Sequence, residues 1–146
     1  METTRHAEVT WSGDLTTGSG TINYSSSGAF SRLPVTWASR TEQHNGRTSP
    51  EELLAAAHAA CFSMAFSARL GKNGTPPAKL DVKAVVSFAK GDAGWAIARS
   101  TLTVKGDVPG IDPATFQTLA EDARDNCPVS VALKGNVEMV VDATLV

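Results

Sequence analysis

The chain has 146 residues, 42% of them hydrophobic and 19% charged, with a formal net charge of −2. That composition fits one globular domain over residues 1–146 and excludes a disordered chain. With two cysteines and no run of Lys or Arg, it argues against nucleic acid or a membrane as partner and against a secreted disulfide scaffold. The first residues, Met1 to His6, lack the apolar run of a signal peptide, so a cytoplasmic protein with reduced thiols is the expectation.

In chain order, Ala7 to Trp11 and Gly20 to Tyr24 read as two strands separated by the polar turn Ser12-Gly13-Asp14. Val35 to Thr41 reads as a third strand after Pro34, and Gln43 to Arg47 as a loop. The first helix has a clear start. Ser49 is a good N-cap, Pro50 fits the first helical position, and Glu52 completes a Ser-x-x-Glu capping box. It runs to about Leu70, where Gly71, Gly74 and the pair Pro76-Pro77 stop it. Its segment Leu53 to Leu70 has the length of a membrane span. It is rich in Ala, however, and carries His58, Ser63, Ser67 and Arg69, so a central buried helix is expected.

Leu80 to Lys90 and Trp95 to Lys105 read as long strands joined at the hairpin signal Gly91-Asp92-Ala93-Gly94. Asp112 caps a second helix with Pro113 at its first position, ending at Glu121 or Arg124. A short helix from Pro128 to Leu133 and a strand from Asn136 to Leu145 complete the chain. Hairpin-linked strands separated by helices predict an α+β fold with largely antiparallel sheet.

The chemistry rests on few residues. Pro128 disfavours helical geometry at Cys127, which places that cysteine at a helix boundary facing unpaired N–H groups. A thiolate stabilised there and a plain packed cysteine explain the local sequence equally well. Cys61 lies in the apolar helix, where a neutral pocket would raise its pKa and leave it inert. Only a cation from elsewhere would activate it. Arg69 is two turns further on and is expected to face solvent, whereas Arg40, at the end of the third strand, is a reasonable donor or else an ordinary surface ion pair. Glu51 is favoured at a helix start in any case. His58 is one turn before Cys61, so a Cys–His pair for acyl transfer is conceivable, although no oxyanion loop accompanies it. The three histidines and two cysteines have no metal-ligand spacing, and no metal site is expected.

The run from Ser49 to Ala65, with His58-Ala59-Ala60-Cys61-Phe62-Ser63-Met64 at its centre, resembles the signature helix of the OsmC family within the OsmC/Ohr group of organic hydroperoxide reductases. The resemblance continues through Trp11-Ser12-Gly13-Asp14, Trp37-Ala38-Ser39-Arg40, Asp92-Ala93-Gly94-Trp95, Val108-Pro109-Gly110-Ile111-Asp112 and Asn126-Cys127-Pro128-Val129-Ser130. It implies two three-stranded sheets around a buried central helix in an intertwined homodimer. It also implies a thiol peroxidase in which Cys61 is the peroxidatic cysteine and Cys127 the resolving one, with Arg40 and Glu51 as the charged pair that holds thiolate and peroxide. No bound cofactor is implied; an external dithiol of lipoyl type, carried by a reductant protein, would regenerate the thiols. The expected substrate is an organic hydroperoxide, with Leu54, Phe62 and Phe66 around Cys61 favouring alkyl forms. Two other readings are a stress-induced small-molecule binding protein with incidental cysteines and a Cys61–His58 thioesterase.

Overall fold

The computed structural model describes residues 1–146. They form an α+β arrangement of two three-stranded sheets and four helices, divided between two compact units, Met1–Leu53 and Leu54–Val146.

In the first unit, β1 (Ala7–Ser12), β2 (Ser19–Ser25) and β3 (Ser31–Val35) form an antiparallel meander. The β1–β2 ladder slips between Glu8 and Val9, and the turn after β1 is held by Asp14, whose carboxylate accepts from the backbone and hydroxyl groups of Thr16 and Thr17. The third strand lies earlier than its composition predicts. Ser31–Val35 is the strand, and Trp37–Thr41 is a short helix, α1. The cause is local hydrogen bonding. Thr36 Oγ1 accepts from Ser39 N–H, while Ser39 Oγ accepts from Thr36 N–H, a reciprocal capping box inside a run rich in β-formers. Arg40 therefore sits in the last turn of a helix instead of ending a strand.

Helix α2 (Pro50–Lys72) begins as the sequence predicts, with Ser49 Oγ accepting from Glu52 N–H at 3.1 Å; the Glu52 carboxylate accepts from Thr48 Oγ1 instead of returning to the cap. Its burial differs from expectation. Beyond Glu51, only His58, Phe62, Phe66 and Leu70 are buried, one stripe at four-residue spacing, while Ala56, Ala57, Ala60, Met64 and Ala68 are exposed. That second stripe is apolar and exposed.

The second unit adds β4 (Lys79–Gly91) and β5 (Gly94–Asp107), paired antiparallel through a two-residue turn that Gly94 closes at φ 108°. Helices α3 (Pro113–Asn126) and α4 (Pro128–Leu133) then carry the chain across to β6 (Glu138–Leu145), which lies parallel to β5. A helical crossover is what a parallel neighbour requires. The core contains Phe62, Phe66, Leu70, Leu102, Val104, Phe116, Ala120, Ala123, Cys127 and Val141. Phe66 is its centre, with ring centroids 5.5 Å from Phe62 and 5.0 Å from Phe116. A Cβ at Gly106 would lie 2.5 Å from the Phe116 ring, so a side chain there is excluded by contact.

Candidate active site

Cys127 stands where two helices meet. It ends α3, donating its N–H to Ala123 O, and caps α4 with φ −67° and ψ 143°, the extended conformation that Pro128 imposes. Its sulfur accepts from Ser130 N–H at 3.4 Å and lies 3.0 Å from Ser130 Oγ. The sequence expectation of a sulfur facing helix-start N–H groups is therefore met, but the side chain is wholly buried.

Cys61 is half-buried on α2 and packs against the core cluster that contains Cys127. Both thiols are free. Burial pushes the Cys61 thiol above its ordinary value and the neighbouring Cys127 pushes the same way, while the Val129 N–H acts in the opposite sense. The cation on the same helix does not help. Arg69, expected in solvent, is paired with Asp122 of α3 and also donates to Ala65 O. Phe62 and Phe66, expected around a substrate, have no exposed surface and belong to the core instead.

His58 is wholly buried and fully committed. Nδ1 is 2.7 Å from Ser100 Oγ on β5, and Nε2 is 2.8 Å from Ser130 Oγ on α4. Burial lowers its pKa, so the ring is neutral. A base with both nitrogens engaged by serines is not paired with the Cys61 thiol, which removes the support for acyl transfer by Cys61 and His58. Sequence reasoning missed both serines. Ser130 carried a weak signal, three residues after a helix-capping cysteine; Ser100, in mid-strand, carried none.

In the first unit, Arg40 and Glu51 form a tight pair. Arg40 Nε and Nη2 lie 2.9 and 2.8 Å from the same oxygen, Glu51 Oε1. Glu51 Oε2 is buried and has no hydrogen-bond partner. The guanidinium also lies over the Trp37 ring, 5.9 Å from its centroid. An apolar cavity of about 190 Å³ opens beside it, lined by Trp11, Leu15, Val35, Trp37 and Pro50. The four predicted residues thus fall into two pairs, Cys61 with Cys127 and Arg40 with Glu51. Glu51 and Cys61 are ten residues apart on α2, about 15 Å of helical rise.

Two three-stranded sheets with a long helix that carries Cys61 next to a second free cysteine, Cys127, define the OsmC/Ohr class of α+β protein. The model of the family described as OsmC-like protein matches residues 43–142. A curated relative, Peroxiredoxin OsmC of Escherichia coli, is 42% identical over 135 residues, covering 92% of this chain and 93% of the relative. Organic hydroperoxide resistance protein of Xanthomonas axonopodis pv. citri is 33% identical over 95 residues, 64% of this chain and 65% of its own. Among solved structures, the organic hydroperoxide resistance protein OhrB of Bacillus subtilis superposes with a TM-score of 0.73 at 27% identity, covering 95% of this chain and 98% of that one. The chain belongs to the OsmC-like family of the OsmC/Ohr superfamily.

Proposed function

We propose that this protein defends against peroxide stress by reducing organic hydroperoxides to alcohols, with Cys61 as the peroxidatic and Cys127 as the resolving cysteine. The observation that carries the reading is the pair of free thiols at one core, one half-exposed and the other buried at a helix start. The relatives' names, a peroxiredoxin and organic hydroperoxide resistance proteins, point the same way.

In this reading, Cys61 thiolate attacks the terminal peroxide oxygen. The O–O bond breaks, the alkoxide takes a proton and leaves as an alcohol, and Cys61 is left as a sulfenic acid. Cys127 thiolate then attacks the Cys61 sulfur, forming the disulfide as hydroxide leaves and is protonated to water. An external dithiol, of lipoyl type by family resemblance, restores both thiols by exchange and becomes a disulfide itself.

Burial and Cys127 raise the Cys61 thiol and no cation is among the causes acting on it, so its activation calls for one. The Arg40–Glu51 pair of a second copy supplies it, since one chain's own Glu51 is ten helical residues from Cys61. The uncovered stripe Ala56, Ala60, Met64 and Ala68 and the exposed apolar side chains of the first sheet, Val9 and Trp11 among them, support a homodimer that buries them. There the Arg40 guanidinium would favour the thiolate and the departing alkoxide. Glu51 Oε2, with no partner in the chain, would accept the hydroperoxide O–H. The cavity beside Trp37 would take the alkyl group in place of Phe62 and Phe66.

The test is thiol titration with peptide mapping before and after one equivalent of alkyl hydroperoxide. Loss of two thiols with a Cys61–Cys127 crosslink, and a trapped sulfenate at Cys61 in Cys127→Ser, is the expected result. A sulfenate at Cys127 would reverse the two roles, and unreacted thiols would refute the peroxidase. For the shared site, Cys61→Ser and Glu51→Gln subunits, each defective alone, should regain activity when refolded together. No recovery would place both pairs in the service of one chain.

A further inference from the structure

We infer that Ser130 and His58 form a proton relay that converts buried Cys127 to its thiolate for attack on the Cys61 sulfenate. The inference rests on the peroxidase reading above and adds two positioning residues to it. Cys127 has no exposed surface, so water cannot take its proton directly. A chain of short contacts leads away from its sulfur instead. Cys127 Sγ to Ser130 Oγ is 3.0 Å, Ser130 Oγ to His58 Nε2 is 2.8 Å, and His58 Nδ1 to Ser100 Oγ is 2.7 Å.

The donors and acceptors fit in both protonation states without moving a heavy atom. At rest, the Cys127 S–H donates to Ser130 Oγ, the Ser130 O–H donates to His58 Nε2, and His58 Nδ1–H donates to Ser100. As Cys127 attacks, its proton passes to Ser130 and the serine proton passes to His58 Nε2. The imidazolium then donates to Ser130, and the serine hydroxyl and Ser130 N–H both donate to the thiolate. The S–S bond forms, the Cys61 S–O bond breaks, and hydroxide leaves as water after taking one proton. His58 gives up that proton through Ser130 to the departing hydroxide, so the Cys61 sulfenic acid and the Cys127 thiol yield the disulfide and one water, and the ring is neutral again. Ser100 holds the Nδ1–H tautomer throughout, the arrangement a base needs from its second ring nitrogen.

The surroundings favour a neutral base already aligned with Ser130. Ser100 from β5 and Ser130 from α4 occupy both ring nitrogens, and Cys127 lies beyond Ser130 at the α3–α4 junction. Cys61 is the nearest titratable residue on its own helix, three residues on. No carboxylate, lysine or arginine contributes to the shift of His58, whose only cause is burial. Proton transfer within the network creates opposite charges on His58 and Cys127 and leaves its net charge unchanged, so no isolated charge is buried.

Single-turnover kinetics separate this step from the first. With one equivalent of alkyl hydroperoxide, Cys61 oxidation is followed by sulfenate trapping, and resolution by Cys61–Cys127 disulfide formation. Ser130→Ala and His58→Gln should leave Cys61 oxidation within about twofold and slow resolution by about a hundredfold near pH 7, the low end of what positioned acid–base groups contribute. That deficit should shrink as pH rises, because hydroxide reaching the thiol in transient openings of the core removes its proton without the relay. Ser130→Thr, which keeps the hydroxyl, should restore resolution, and thermal unfolding reports whether each variant folds. Should His58→Gln fail to fold, Ser130→Ala decides alone. Unchanged resolution, or slowing that is equal at every pH, would overturn the relay while leaving the peroxidase intact. Absence of any Cys61–Cys127 disulfide in the unaltered protein would instead remove the peroxidase reading and the relay with it.

Discussion

The buried centre around His58 and the pair formed by Arg40 and Glu51 are built on opposite principles. At His58, both ring nitrogens, two serine hydroxyls and the Cys127 sulfur are matched within one chain. At Glu51, two guanidinium nitrogens share a single oxygen and the other oxygen has no partner although buried. Unsatisfied buried polar atoms are costly and therefore rare. A complete network contributes stability to the chain that holds it, whereas at Glu51 a buried carboxylate oxygen is left without a hydrogen-bond partner from the chain. The same contrast runs along α2, whose stripe from His58 to Leu70 is buried while the stripe from Ala56 to Ala68 is uncovered.

Glu51→Gln gives this contrast its largest expected effect. Losing the charge that orients Arg40 should lower kcat/KM for an alkyl hydroperoxide by about a hundredfold, the scale of one lost electrostatic contact in a transition state. Its stability should change by about 1 kcal/mol or less, because the ion pair and the carboxylate's desolvation cost disappear together. Denaturant titration beside the kinetics checks both halves. A large loss of stability would make this pair part of the folded framework and break the comparison.

His58→Leu should differ in its stability, costing about 3 kcal/mol in denaturant unfolding by leaving two buried hydroxyls short of a partner. A variant as stable as the parent would show that the network is not a stabilising one. The same centre gives a pH dependence. The folded state holds His58 below its ordinary value, so the unfolded chain binds the extra proton as pH falls through about 6.5. Stability from this group is therefore complete above that pH and declines below it. Unfolding midpoints measured from neutral to mildly acidic pH should fall, and His58→Gln should flatten the slope.

The smallest effect is a control outside both regions. Asp112 accepts from Thr115 N–H at 2.9 Å as the cap of α3. Asp112→Ala should cost about 1 kcal/mol and leave peroxide kinetics unchanged. An equal loss of activity would mean that α3 transmits strain to Cys127.

Much of this molecule was legible in its residues. Caps and breakers are local chemistry, so Ser49-Pro50, Asp112-Pro113 and Cys127-Pro128 marked three helix starts, and Gly91 to Gly94 marked the hairpin. Trp37 to Thr41 was misleading because β-propensity lost to a capping box of two hydroxyls, a contest that composition does not reveal. The parallel pairing of β6 was also hidden, since sheet order depends on where a crossover lands and not on the strand's own sequence.

The cysteines, the arginine and the glutamate were identifiable from sequence because their residue types carry chemistry and their surrounding motifs resemble a known family. Which of them meet was a tertiary matter. Ser100 and Ser130 lie 42 and 72 residues from His58 in the chain and join it only when β5 and α4 fold against the long helix. Sequence determined the local conformations and the reactive groups, because both are properties of a few adjacent residues. The fold alone decided that His58 belongs with Cys127 and that Glu51 keeps one oxygen unpaired, because partners distant in the chain are selected by packing.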